Sequence, residues 1–429
     1  MTVEQAKELL ETHNQPNVLK FWDTLGDAAR AALLEQIAAI DFASVGRMRQ
    51  MLVNTTNPTA HAEPTAPEVI VLTDAERARA REAGEKELRA GKVAVLVVAG
   101  GQGSRLGYEG PKGAYPIGPV TGNSLFYFHA RQVVGLSKRY HVSVPFYVMT
   151  SEVNDAPTKK HFEENDYFGL NKDDVIFFQQ GVWPTLTPEG LLILDEPGHI
   201  FMSPDGHGGT IAALDKNDCL ADMAQRGITS VFYFQVDNPL VAIAEPAFIG
   251  LHAMEGADIS LKVCAKRAPD EGLGVVVTRD GHSEIVEYTE LTDAQKQRTT
   301  ADGELYFKYG SVGIHIFSLD FLKTEASRDM PLHIASKKIP MCDETGKIVA
   351  SPGKKFEKFI FDVLPNAVKV VNVAFNREDE FSPVKNADGD DSPETCKRDM
   401  QAKWRRQLEK AGQRTPLELD PAYALRLQD

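Results

Sequence analysis

The hydrophobic positions change their period part-way along the chain. Up to about residue 92 they recur at helical spacing: MTVEQAKELLETHNQPNVLK reads as an amphipathic helix, and FWDTLGDAARAALLEQIAAI carries a second apolar stripe. The polar, proline-containing stretch 54–69 predicts a connecting loop. Thr73 then caps a helix over TDAERARAREAGEKELRAGK, which Gly91 ends. At Val93 the pattern becomes continuous. VAVLVV has no alternation, as expected of a strand buried on both faces of a parallel sheet. Similar runs recur at 144–150, 175–180 and 230–238, with the helical patterns SLFYFHARQVVGL and TIAALDKNDCLADMAQRG between them. Strand and helix in alternation predict an α/β fold with a mainly parallel sheet. LGVVVTRDG and EIVEYTEL are shorter and predict an antiparallel addition. From about Pro340 come the run KFIFDVL, the strand-like VKVVNVAF, the segment NREDEFSPVKNADGDD and a charged helix from Ser392. The expected organisation is a helical region 1–92, a catalytic domain 93–339 and a C-terminal region 340–429.

Charge narrows the function classes. A formal net charge of −14 argues against general nucleic-acid binding, which rests on basic patches. It leaves small anionic ligands open, because local lysines and arginines outweigh a distant field. No apolar run is long enough for a bilayer and the first 25 residues carry no leader pattern, so a cytoplasmic protein without membrane partners is expected. The four cysteines, Cys219, Cys264, Cys342 and Cys396, are widely spaced and predict buried reduced thiols rather than a zinc site.

The strand VAVLVV runs into AGGQGSRLGYEGPKG. Glycines 100, 101, 103 and 107 let a polyanion approach backbone N–H groups, and Arg105 and Lys112 add positive charge. A loop after a buried parallel strand sits at the carboxyl edge of the sheet, where such folds bind ligands. A Walker loop needs GK[ST], but Gly113 follows Lys112. A dinucleotide fingerprint needs GxGxxG and an acidic residue about 20 positions on. Here Gly107 comes one position late, and the stretch TGNSLFYFHAR holds no acid. An ordinary glycine-rich turn and an anion-binding loop of another kind remain. No Ser-His-Asp or Cys-His set stands out.

GGQGSRLG followed by PKG is similar to the signature of sugar-nucleotide pyrophosphorylases. VIFFQQG, MSPDGHGGTIAAL, VDNPLVAIAEPAFIG, EIVEYTEL, HIASKKIP and REDEFSPVKNAD follow in the order found in UDP-N-acetylhexosamine pyrophosphorylases, within the wider type-1 UDP-sugar pyrophosphorylase family. The resemblance covers nearly the whole chain. It implies a Rossmann-like, GT-A-like nucleotidyltransferase fold and a Mg²⁺-dependent uridylyltransferase. Its ligands would be UTP, a sugar 1-phosphate, UDP-sugar and pyrophosphate. Oligomeric state is left open, and the chain after KNADGDD is shorter than the C-terminal domain of eukaryotic members.

By that resemblance Ala99, Gly100 and Gly101 touch the uridine, Lys112 holds the UTP phosphates, and Arg105 stabilises the leaving pyrophosphate. Gln180, with Gln179 as the fallback, reads the uracil, for which an amide that donates and accepts is suited. Gly206 closes on the same base. Asp237 is a carboxylate at a strand tip, well placed to share a metal ion with phosphates, and Asn238 is its possible assistant. Lys385 reaches the sugar phosphate as a part that moves on closure, with a plain salt bridge as its rival. Gly274, Glu287 and Tyr288 recognise the sugar. Lys337 and Lys338 are weaker candidates, equally readable as a solvated helix end.

Several sugar-side positions depart from the N-acetylhexosamine pattern. His207 stands where that family has Asn in PDGNGG. Ser311 and Ile314 replace two asparagines of GNIANH, and Leu364 and Asn366 occupy places where aromatics are expected. The expected substrate is N-acetylglucosamine 1-phosphate. Glucose or galactose 1-phosphate is the alternative, and a non-catalytic UDP-sugar-binding homologue is the reading from another class.

Overall fold

A computed structural model describes residues 1–53, 62–413 and 418–428. The chain forms two units. The larger consists of Ala62–Gln180, Thr210–Asp329 and Phe361–Asp429; the smaller of Met1–His61, Gly181–Gly209 and Met330–Ile360. Their limits do not coincide with the boundaries 92/93 and 339/340 read from the sequence. The chain leaves one core and re-enters it, which hydrophobic periodicity does not register.

The larger unit is built on a nine-stranded sheet. In chain order its strands are β1 Val93–Val98, β2 Phe146–Thr150, β3 Val175–Gln179, β4 Ser230–Gln235, β5 Ile259–Ala265, β6 Val275–Arg279, β7 His282–Val286, β8 Tyr309–Ser318 and β9 Val370–Ala374. They run in the order β7-β6-β8-β4-β1-β2-β3, with β5 paired to both β8 and β9. β3, β2, β1 and β4 are mutually parallel. Residues 93–97 and 231–234 are buried throughout, as strands covered on both faces must be. The segments LGVVVTRDG and EIVEYTEL form the antiparallel pair β6–β7, and β8 runs antiparallel to β4.

Local signals set the helix ends. Thr73 and Glu76 form a reciprocal capping box at the start of helix Asp74–Arg89. That helix lies against helix Pro246–Glu255 through two glycines: a Cβ on Gly250 would stand 1.7 Å from the Ala80 carbonyl oxygen, and one on Gly84 1.8 Å from that of Pro246. Mid-helix glycine costs about 1 kcal/mol relative to alanine, and here it permits backbone-to-backbone approach. The pattern TIAALDKNDCLADMAQRG, read as one helix, is two, Thr210–Lys216 and Cys219–Gln225. Asp218 breaks them at φ +57°, a left-handed conformation that aspartate tolerates. KFIFDVL leads into a short 3₁₀ segment, Ile360–Asn366.

The smaller unit gathers helices Val3–Thr12, Asp27–Ala39 and Phe42–Val53. Their apolar faces meet Leu186, Leu192, Leu194, Ile200 and Phe356 in one core. Residues 54–61 of the expected loop lie outside the described residues. ASKKIP is not a helix end: it lies in strand His333–Cys342, which pairs along its whole length with Ile348–Glu357, and Lys337 and Lys338 are exposed on it. Among the described residues no helix is long and apolar enough to cross a membrane. The four cysteines are free and buried; burial pushes the thiol of Cys219 up to about 12 and that of Cys264 to about 11.

Candidate functional site

The carboxyl ends of β1, β3 and β4 lie along one edge of the sheet, because parallel neighbours end on the same side. Ala99, Gly100, Gly101, Gln180, Asp237 and Asn238 follow these strand ends directly, and Arg105 and Lys112 lie in the loop after β1. After β1 the chain turns back on itself: Gly103 N–H donates to Gly110 O at 2.9 Å, and Lys112 N–H to Gly101 O at 3.0 Å. Ala99 is fully buried, with its N–H bonded to Met149 O on β2. Gln180, at the end of β3, places its side chain over Gly100. A Cβ there would stand 2.7 Å from Gln180 Nε2, so only glycine admits the amide so close. Gln179 is exposed, and its carbonyl accepts from Asn217 instead. The observed pairing is therefore Gly100 with Gln180.

Lys112 reaches Asp237 at the tip of β4. Nζ and Oδ2 are 3.6 Å apart, and the side chains are 16% and 12% exposed. Arg105 lies in the turn Ser104–Leu106, is exposed, and forms no ion pair among the described residues. A largely buried Lys–Asp pair beside an open guanidinium is an arrangement that can take a polyanion and its counter-cation.

Asp237 also holds the Lys385 segment. Its carbonyl accepts from Val384 N–H at 2.8 Å. Asn238 brackets the same segment, donating through Nδ2 to Glu380 O at 2.7 Å and accepting from Ser382 N–H at 3.1 Å through Oδ1. Asn238 thereby tethers the segment that carries Lys385. Lys385 follows Val384 directly, so its segment is joined to the strand tip. Its Nζ lies 3.9 Å from Asp391 Oδ2 and 5.8 Å from the Phe381 ring centroid.

The sugar-side candidates form a second cluster in the larger unit. Ser311 N–H donates to Gly274 O at 2.8 Å, and a Cβ on Gly274 would lie 3.6 Å from Glu287 Oε1. Tyr288 is exposed beside Gly272. The register of β8 shifts between Ser311 and His315. Ile314 and Leu364 are core residues, and Asn366 Nδ2 donates to the buried Glu325 at 2.8 Å. Gly206 and His207 belong to the smaller unit. There Asp205 O accepts from Lys358 N–H at 2.7 Å, and a Cβ on Gly206 would stand 2.5 Å from Lys358 O. His207 Nδ1 accepts from Ile360 N–H at 3.1 Å, and its ring stacks on Phe359.

Two residues that the sequence reading passed over support the edge. Asn154 is fully buried just beyond β2. Its Nδ2 donates to Ala99 O at 2.9 Å and to Gly101 O at 3.2 Å, while Oδ1 accepts from Ser151 N–H at 2.7 Å. A polar residue shortly after a strand of buried positions was its only sequence signal. His129 is buried, with Nε2 2.9 Å from Val236 O next to Asp237; burial lowers it to about 4. It is therefore a neutral donor through Nε2.

A family model described as UTP–glucose-1-phosphate uridylyltransferase matches residues 47–390. The chain belongs to that family. UDP-N-acetylhexosamine pyrophosphorylase-like protein 1 of Mus musculus is 37% identical over 94% of this chain and 85% of its own length. UDP-N-acetylglucosamine diphosphorylase 2 of Arabidopsis thaliana is 38% identical over 91% and 82%. The crystal structure of the uridine diphosphate N-acetylglucosamine pyrophosphorylase from Trypanosoma brucei, solved with an inhibitor, matches with a TM-score of 0.83 at 30% identity, covering 95% of this chain and 86% of that one. This uridylyltransferase-family chain is thus a nucleotidyltransferase of the UDP-sugar pyrophosphorylase class, with the mixed, mainly parallel sheet of its structural relatives.

Proposed function

We propose that this enzyme joins UTP to N-acetylglucosamine 1-phosphate. An oxygen of the sugar phosphate attacks the α-phosphorus of UTP, the bond from that phosphorus to the bridging oxygen breaks, and pyrophosphate leaves. The nucleophile is already an anion, so no general base is needed, and the barrier falls through positioning and charge neutralisation. The observation that carries this reading is the Lys112–Asp237 pair beside the glycine loop. Relatives with N-acetylglucosamine or N-acetylhexosamine in their names support the sugar.

In this reading Lys112 turns from Asp237 to the UTP phosphates, and Arg105 takes the charge growing on pyrophosphate. Gln180 reads the uracil over Gly100, with Ala99 and Gly101 beside the uridine. Lys385 binds the sugar phosphate, and Gly274, Glu287, Tyr288 and Ser311 face the sugar. Among the described residues no three His, Cys, Asp or Glu side chains gather as a metal cage. One carboxylate suits Mg²⁺, which keeps most of its waters and shares substrate phosphates. Asp237 fits that role, and the ion, when bound, would neutralise phosphate oxygens. Free buried thiols support a reducing, cytoplasmic setting.

Ser311, with only a hydroxyl where an amide is expected, favours glucose 1-phosphate as the second reading. Pyrophosphate release with UTP and Mg²⁺ across N-acetylglucosamine, glucose and galactose 1-phosphates tests both. The first reading requires the highest kcat/KM with the N-acetyl sugar. A preference for glucose establishes the second, and UDP-sugar binding without release supports a binding protein.

A further inference from the structure

Gln235 occupies a central place at the sheet edge that neither the loop nor the sugar cluster accounts for. It is the last residue of β4, paired on one side with Val98, which leads directly into the glycine loop. On the other side β8 pairs with β4 through His315 and Tyr233, and continuing that antiparallel register sets Gln235 opposite Gly313. Gly313 lies inside the register shift that follows Ser311. Its φ of +70° is the left-handed conformation, and a Cβ there would stand 3.2 Å from Gln235 Nε2 and 3.3 Å from its Cδ. The Gln235 amide therefore rests on the bulge of β8. It is half-buried, and among the described residues its side chain hydrogen-bonds to none. Two residues beyond the end of β4 comes Asp237.

We propose that Gln235 is a sugar-reading residue, whose amide bonds a hydroxyl or the N-acetyl group of the sugar 1-phosphate; this rests on the function proposed above. An amide has one acceptor and two donors, which complements both a hydroxyl and a secondary amide. Its position between the Asp237 tip and the Ser311–Gly274–Glu287 cluster spans the two ends of a sugar 1-phosphate. It also supplies a side-chain amide beside the segment where Ser311 and Ile314 stand in place of the asparagines of the resembling pattern. A site that bonds a polar substrate group rejects analogues that lack it, so Gln235 sets sugar preference.

The test is Gln235→Met, which retains bulk over Gly313 and removes the amide, with Gln235→Ala beside it. Kinetics are measured with N-acetylglucosamine and glucose 1-phosphates, alongside melting temperature. In the methionine variant KM for the preferred sugar 1-phosphate rises about tenfold, the loss expected of one hydrogen bond. KM for UTP stays within twofold, preference between the two sugars narrows, and melting is unchanged. Unaltered sugar KM and preference in that variant overturn the proposal while the wild type remains active. A parallel rise in KM for UTP also overturns it, by assigning the amide to the nucleotide. A wild-type enzyme that turns over neither sugar overturns the proposed function, and this inference with it.

Discussion

Lys112 Nζ lies 3.6 Å from Asp237 Oδ2, bringing the turn after β1 to the tip of β4. The two strands are parallel neighbours, so their carboxyl ends coincide and the loops that follow must meet. In the function proposed above, phosphates and their counter-ion would separate this pair. Lys112→Met is expected to lower kcat by about 10²–10³-fold, the scale of removing one transition-state charge contact. Its circular dichroism should match the wild type. Asp237→Asn should fall at least as far, and the double variant little further, because groups that act as a unit do not add. Rates that multiply across the two variants would show that the residues act separately.

The close approach of Gln180 to Gly100 has a steric consequence. Gly100→Ala places a methyl 2.7 Å from Gln180 Nε2 and must push the amide away. Gly100→Ala and Gln180→Ala are therefore expected to share one phenotype: KM for UTP up about tenfold, with reduced preference for UTP over other nucleoside triphosphates. Competition among triphosphates measures this. Retained UTP preference in both variants moves base recognition elsewhere.

Asn154 fastens the glycine loop by holding the carbonyls of Ala99 and Gly101. Asn154→Ala leaves both without this donor and frees the loop. The expected outcome is a weakened UTP KM and a lower kcat together, with stability reduced by about 1–3 kcal/mol. Denaturant melts and steady-state kinetics separate these effects. A stability loss with normal kinetics would reduce Asn154 to a packing role.

Acid sensitivity follows from two buried histidines. Burial lowers His129 and His252 from 6.5 to about 4, opposed in part by the Val236 carbonyl and by Asp258 respectively. Between pH 6.5 and 4 the unfolded chain takes up protons that the folded chain refuses. Stability is therefore present above pH 6.5 and is lost as pH falls to 4, by on the order of 3 kcal/mol for each histidine. Urea midpoints measured from pH 7 to pH 4.5 should fall less steeply for His129→Gln, whose amide can still donate to Val236, than for the wild type. Parallel curves would contradict this.

The parallel strands were legible because a strand covered on both faces must be apolar at every position, as at Val93–Val98. Thr73 and Ser392 marked helix starts through chemistry within four residues of each. Asp218 was not legible as a break, because its left-handed φ depends on the packing of the two helices it separates. The smaller unit was hidden for a different reason. Its core joins Leu10 and Leu33 to Leu192 and Phe356, and no local period records such distant pairing.

Taken by itself, the sequence determined the chemistry: a glycine loop with Arg105 and Lys112 after a buried strand, a carboxylate at the tip of another, and the ordered motifs of one family. Those features depend on residue types over short spans, which the chain carries in plain order. Only the tertiary structure decided which groups meet. Sheet order brought Lys112 to Asp237 and Gln180 to Gly100, and it made Asn238 a tether for the Lys385 segment. It also exposed Asn154 and Gln235, whose positions come from hydrogen bonds and strand register. Register and long-range contact are properties of the folded chain, because they arise only when segments far apart in sequence are held at bonding distance.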